Sequence, residues 1–178
     1  GREALTGLWV ALSTEKSVGE IRTILEAWFS ELVVADWDLS SIESVKESLE
    51  RPAVRSADIL FRVVDTQSEF PTAIHIDRWP GPHGEALHDE AVVQATMVEL
   101  ARKFAAALGC RTACDGSDYG DCYSPYWAII WDAGRSFLAV TCDTGFEDEG
   151  EGDVRIVREV YMPAFRLDAS GRPVLQHG

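Results

Sequence analysis

The sequence predicts a single α+β domain in which a largely antiparallel sheet of about six strands packs with three helices, in the order β-α-α-β-β-α-β-β-β. Three observations carry that expectation. Short segments alternate apolar and polar residues with a period of two, as half-buried strands do. Other segments repeat apolar residues every three or four positions behind helix-capping residues. Two apolar runs are joined by Asp132-Ala-Gly-Arg135, a turn that returns one strand antiparallel to the other.

Gly7 to Ser13 reads as the first strand, with Leu8, Val10 and Leu12 on one face. Ser17-Val-Gly-Glu20 has the form of a capping box, in which the Ser oxygen takes a free N–H and the Glu reaches back. The helix it opens aligns Val18, Ile21, Leu25, Trp28 and Leu32. A second box, Ser40-Ser-Ile-Glu43, opens a shorter helix with Ile42, Val45 and Leu49 inward, closed by Pro52. Asp58 to Asp65 and Thr72 to Trp79 form the next two strands, with Phe70-Pro71 in the loop between them. A Pro- and Gly-rich loop at 80–84 leads to the longest helix, about Asp89 to Leu108. Its buried stripe is Val93, Met97, Leu100, Phe104 and Leu108, and Gly109 stops it.

The hairpin follows. Its strands are Pro125 to Trp131 and Ser136 to Thr141, and residue 131 is expected opposite residue 136. Trp127, Ile129 and Trp131 face one way; Tyr126, Ala128 and Ile130 face the other. With both faces apolar, this strand belongs inside the sheet. Val154 to Met162 supplies the last strand, and residues 163–178 read as a loosely held tail. Trp9, Trp28, Trp127 and Trp131 take inward positions, whereas Trp79, beside the Pro-rich loop, reads as an exposed contact. One domain spanning 1–178 suits 178 residues with 46% apolar content.

Charge narrows the function. A net charge of −14 disfavours nucleic-acid and anionic-membrane binding, both of which need Lys and Arg. It favours basic protein partners and their electrostatic capture. No apolar run approaches the roughly 20 residues that span a bilayer, and no basic region precedes an apolar core near residue 1. The expected location is the cytoplasm. Cys110, Cys114, Cys122 and Cys142 offer one pair at zinc-like spacing and two separate thiols, which suits reduced cysteines there. A Cys114–Cys122 disulfide requires an oxidising compartment.

The charge is concentrated. Residues 111–153 hold ten carboxylates against two arginines, mostly in two clusters on either side of the hairpin. The first contains Asp115, Asp118 and Asp121; the second contains Glu147, Asp148, Glu149, Glu151 and Asp153. An extended hairpin brings residue 121 near 146, so the two clusters meet at one end. Like charges held together raise the free energy of the fold, and a basic partner or a hard cation offsets them. Tyr119 and Tyr123 sit among these carboxylates on a loop, where tyrosine suits a partner contact. The spacing Asp115-x-x-Asp118-x-x-Asp121 departs from an EF-hand loop.

His75, Asp77, His83, His88, Asp89 and Glu90 form a second group, with Asp89 and Glu90 also favoured at a helix start on electrostatic grounds alone. His75 and Asp77 share one face of a strand, and His83 and His88 bracket the loop into the long helix. They could bind a transition metal in a metal-dependent hydrolase. Loop histidines are more often simply solvated, and no H-E-x-x-H spacing is present. Neither a G-x-S-x-G elbow, a P-loop nor a dinucleotide G-x-G-x-x-G occurs, so no cofactor is expected.

Residues 88–145 resemble immunity proteins of bacterial polymorphic toxin systems. The likeness rests on Leu100-Ala-Arg-Lys-Phe-Ala-Ala-Ala-Leu-Gly109, an acidic loop, Ser124-Pro-Tyr-Trp127, the Ala133-Gly-Arg135 turn and Val140-Thr-Cys-Asp143. The resemblance implies a small acidic antidote that plugs a co-produced toxin, often a basic nuclease, through carboxylates and aromatics. It implies no catalytic residue. The expected function is therefore stoichiometric binding of a cognate basic toxin. Asp115, Asp118, Tyr119, Asp121, Tyr123, Glu147, Asp148, Glu149, Glu151 and Asp153 are the expected contacts. A metal-dependent hydrolase and a non-catalytic accessory or regulatory domain are the alternatives.

Overall fold

A computed structural model describes residues 4–82, 90–141, 154–162 and 166–174. Among these residues the elements run β1 (Leu8–Leu12), α1 (Val18–Trp28), β2 (Val34–Asp36), α2 (Ile42–Glu50), α3 (Pro52–Ser56), β3 (Ile59–Asp65), β4 (Thr72–Arg78) and α4 (Glu90–Leu108). They continue with β5 (Thr112–Asp115), β6 (Trp127–Asp132), β7 (Arg135–Thr141), β8 (Val154–Glu159), β9 (Arg166–Leu167) and β10 (Pro173–Val174). Eight strands form one sheet in the order β2-β3-β4-β1-β5-β6-β7-β8. Every pairing is antiparallel except β2 with β3. The α+β class is as expected, with eight strands in the sheet and four helices rather than about six and three.

The added elements have identifiable causes. β2 is only three residues long, too short to show a period. β5 is Thr-Ala-Cys-Asp, small residues that read as loop but are buried because α4 crosses them. The Thr112 hydroxyl donates to the Ala101 carbonyl of α4 at 2.7 Å. Pro52 does not merely close α2; it starts α3, where its missing N–H costs nothing. The segment 166–174 corrects the expectation of a loose tail. It forms the β9–β10 hairpin, held when Trp79 Nε1 donates to the Gly171 carbonyl at 2.6 Å. Trp79 is thereby fully buried rather than an exposed contact.

Local signals behave largely as read. Ser17 and Glu20 form the reciprocal capping box of α1, and that bonding holds the Glu20 carboxyl below its usual range. The β6–β7 hairpin places Trp131 opposite Ser136, and its turn puts Ala133 at φ 49° and Gly134 at φ 80°. Two successive residues with positive φ are what a tight hairpin turn of matching twist requires. α2 departs from expectation. Ser41 rather than Ser40 caps it, and Ile42 (77% exposed) and Leu49 face outward.

α1 and α4 cover one face of the sheet. Ile21, Leu25, Phe29, Met97, Leu100 and Phe104 pack there on Leu8, Val10, Ile74, Ile129 and Leu138. The other face is lined by small residues. Ala73, Ala11 and Ala113 are direct neighbours across β4, β1 and β5, followed by Ile130, with Ala128 and Ala139 one pleat away. Phe70, from the β3–β4 loop, fills the hollow above them and is fully buried. The neighbouring Glu69 carboxylate accepts from the Val154 N–H of β8 at 2.8 Å and lies 3.7 Å from Arg111. A flat sheet would keep β4 and β8 roughly 24 Å apart across five spacings. The β3–β4 loop, folded over the alanine face, and the coiling of the sheet together close that distance. Among the described residues no helix is long and apolar enough to cross a membrane.

Replacing Phe70 by Ala empties this hollow and should lower stability by about 3–5 kcal/mol in urea unfolding. A loss below about 1 kcal/mol would show that the alanine face holds its shape without the ring.

Candidate functional site

The first acidic cluster lies between β5 and β6, on a compact loop. Its backbone turns on the Tyr119 N–H bond to the Gly116 carbonyl at 2.9 Å and the Ser124 N–H bond to the Ser117 carbonyl at 3.1 Å. Two glycines are obligatory for steric reasons. A Cβ on Gly116 would lie 2.8 Å from the Ala128 carbonyl carbon, and one on Gly120 would lie 2.1 Å from the Trp127 ring. The Trp127 indole closes the loop by donating from Nε1 to the Cys122 carbonyl at 3.0 Å. Thus the aromatic residue that begins β6 pins the acidic loop against the sheet.

The loop and the first turns of α4 enclose a groove of about 340 Å³. It is lined by Thr6, Glu90, Val93, Gln94, Met97, Asp115, Ser117, Asp118 and Tyr123. Asp115 stands at its base, accepting from Gln94 Nε2 at 3.1 Å and from the Ser117 hydroxyl. Asp118 is exposed at the rim beside Tyr123, whose ring is 72% exposed. Among the described residues no Lys or Arg comes within ion-pair distance of Glu90, Asp115 or Asp118. Three carboxylates around an open groove with an aromatic edge can receive a guanidinium or an ammonium group.

Other expected contacts have different surroundings. Tyr119 packs against the main core, where burial first, then Cys114 and the nearby aspartates, raise its pKa. It supports the loop from beneath and remains a neutral phenol. Asp121 points to solvent, with Arg158 of β8 at 3.9 Å, so part of its charge is met within the chain. Glu147, Asp148, Glu149, Glu151 and Asp153 lie outside the described residues, as does the expected approach of residue 121 to 146. Glu90 joins the site through the fold. In the sequence it reads as a member of the histidine group or as an acidic residue at a helix start, where the helix dipole favours one.

Near this loop, β8 forms an edge of the sheet and leaves Ile156 and Val157 partly exposed. Tyr126 and Tyr161 are exposed as well. Exposed aromatic and aliphatic groups beside carboxylates give the composition of a protein-binding surface.

The histidine group is different. His75 and Asp77 do share one face of β4. Asp77, however, accepts from Trp37 Nε1 at 2.6 Å and lies 3.3 Å from Arg62 Nε. A guanidinium already beside this carboxylate opposes a metal cation there. His83, His88 and Asp89 lie outside the described residues, and among the described residues no three His, Cys, Asp or Glu side chains cluster as a metal site. Cys110, Cys114 and Cys122 are free thiols, so the optional Cys114–Cys122 bridge is not formed. Burial pushes the Cys114 thiol far up, whereas Cys122 is exposed.

No family model, curated protein or solved structure matches this chain.

Two outcomes check this geometry. Gly116→Ala should cost about 1–3 kcal/mol, because the β6 backbone cannot yield to the added methyl group; an unchanged urea midpoint would contradict the close approach. Brief alkylation of the native protein, followed by peptide mapping, should modify Cys122 and spare Cys114, since only a thiolate reacts. Equal modification of both would contradict the burial.

Proposed function

We propose that this protein is a non-catalytic antidote that binds a basic partner protein, such as a toxin nuclease, in a one-to-one complex. The observation that carries this reading is the groove between α4 and the β5–β6 loop, where Glu90, Asp115 and Asp118 have no cationic neighbour among the described residues. A Lys or Arg of the partner enters that groove, and Tyr123 closes over its aliphatic stem. Tyr126 and the exposed part of β8 extend the contact beyond the groove. The chain's net charge of −14 draws a cationic partner in from a distance, and the buried contacts slow its release.

This mechanism also explains how inhibition arises without chemistry. A nuclease holds its anionic substrate with Lys and Arg, and carboxylates that pair with those side chains exclude the substrate. The resemblance of residues 88–145 to immunity proteins agrees in direction. The second acidic cluster, 147–153, adds further negative charge to the same half of the sequence.

The experiment is to copurify the product of the adjacent gene with this protein and then measure the complex by calorimetry at several salt concentrations. Glu90→Gln with Asp118→Asn should weaken binding about tenfold or more and flatten its salt dependence. Tyr123→Ala should cost about 2 kcal/mol of binding energy, as a central aromatic contact does. Unchanged affinity and unchanged salt dependence in the double variant would remove the groove from the interface.

A further inference from the structure

The opposite edge of the sheet is left incomplete. β2 pairs with β3 only from Val34–Ile59 to Asp36–Phe61, and the final bond runs from the Trp37 N–H to the Phe61 carbonyl at 3.0 Å. The chain then leaves the sheet: the Asp38 N–H bonds the Ser48 hydroxyl, the Ser40 N–H bonds the Asp38 carboxylate, and Ser41 caps α2. β3 continues through Arg62–Asp65 with no strand on that side among the described residues. Parallel ladders use every second residue. The alternation that turns Ile59 and Phe61 toward β2 turns the N–H and C=O of Val63 and Asp65 outward next.

A groove of about 520 Å³ lies along this open edge. Its walls include Val18 of α1, Leu39 from the segment that departs, and Val63 and Val64 of β3. Val18 and Leu39 each remain more than a third exposed. Asp38 and Asp65 line the groove together with Asp36, whose carboxylate is already paired with Arg22 at 2.5 Å, and Arg62 is the one guanidinium among the lining residues. That guanidinium is already beside Asp77. The Ser40 hydroxyl and N–H hold the Asp38 carboxyl below its usual range, so it is charged at neutral pH.

Sheet edges are normally guarded by Pro, Lys, a bulge or a covering segment. β8, the other edge, carries Arg155 and Arg158 and a register shift against β7. Ile59–Asp65 contains neither Pro nor Lys, and its irregularity, at Leu60/Phe61, lies on the β4 side. The one guanidinium of this stretch, on Arg62, is held by Asp77, so the stretch combines outward backbone groups, apolar walls and the carboxylates of Asp38 and Asp65. These are the elements of strand addition, in which main-chain bonds supply affinity and alternate side chains supply selectivity.

We infer that the edge of β3 at Arg62–Asp65 is a docking site for an extended segment of a partner protein that alternates apolar and basic residues. The added segment continues the line of β2. Its backbone pairs with Val63 and Asp65, its apolar side chains rest on Val18 and Leu39, and its Lys or Arg meets Asp38 and Asp65. The site is separate from the α4 groove and does not rest on the antidote reading.

The test uses the intact chain and a blocked peptide of alternating Lys and Val. Binding is read by fluorescence anisotropy, and amide exchange is followed by NMR. Saturable binding is expected, with slowed exchange at Val63 and Asp65. Methylating the peptide's backbone nitrogens along one edge should weaken it at least about tenfold, although charge is unchanged. Asp38→Asn with Asp65→Asn should weaken it by a similar factor; because the peptide changes leave the protein untouched, the test survives a variant that folds poorly. Equal binding of the methylated peptide would reduce the contact to charge alone and overturn the inference. So would unchanged exchange at Val63 and Asp65 under saturation, or no saturable binding below about 1 mM. Slowed exchange at those amides caused by self-association without peptide would replace the partner segment by a second copy of this chain.

Discussion

The row of alanines on the face of the sheet opposite α1 and α4 is the constraint on which the rest of the structure depends. Ala11, Ala73, Ala113, Ala128 and Ala139 leave a hollow that larger residues would fill, and Phe70 occupies it from above. Folded over that face, the β3–β4 loop reaches β8, where the Glu69 carboxylate takes the Val154 N–H. α1 and α4 then share the opposite face, α3 covers only the β2–β3 end of the alanine face, and α4 runs along β1 and β5. That placement sets Glu90 and Gln94 beside the loop that leaves β5, so the groove at Asp115 and Asp118 follows from how the sheet is packed.

Much of this was legible in the sequence where the signal was local. The Ser17 box, the Asp132–Arg135 turn and the 131–136 register depend on a few adjacent residues, and all are found. What could not be read depends on distant contacts. Thr112 and Ala113 look like loop until α4 and Phe70 cover them. Trp79 looks exposed beside prolines until Gly171, far along the chain, supplies a carbonyl to its indole. The stripe Ile42–Val45–Leu49 suggests a buried helix face, yet α2 lies at the periphery and leaves Ile42 and Leu49 outside. Periodicity shows that a helix has an apolar face; it does not show what that face meets.

The acidic site was partly legible for the same reason. Composition located the charge at Asp115, Asp118 and Asp121, but only the fold separates their roles. Asp115 is tied to Gln94 and Ser117, Asp121 has Arg158 nearby, and Asp118 is left with Glu90 at an open rim. Tyr119 and Tyr123 are four residues apart, yet one supports the loop from the core and the other faces solvent. Exposed large apolar groups gather at the two ends of the strand order. Tyr126, Ile156 and Val157 lie toward β8, and Val18, Val33 and Leu39 lie toward β2. The binding role proposed above gives such groups a reason to stay outside, since unsupported apolar surface carries a solubility cost.

The most direct measurement is tyrosine nitration of the protein, free and in complex with the basic partner proposed for it, read residue by residue by mass spectrometry. Tyr123 should be modified readily in the free protein and protected in the complex, while Tyr119 should resist in both. Modification of Tyr123 at the same rate in a fully formed complex would contradict a partner seated at the α4 groove.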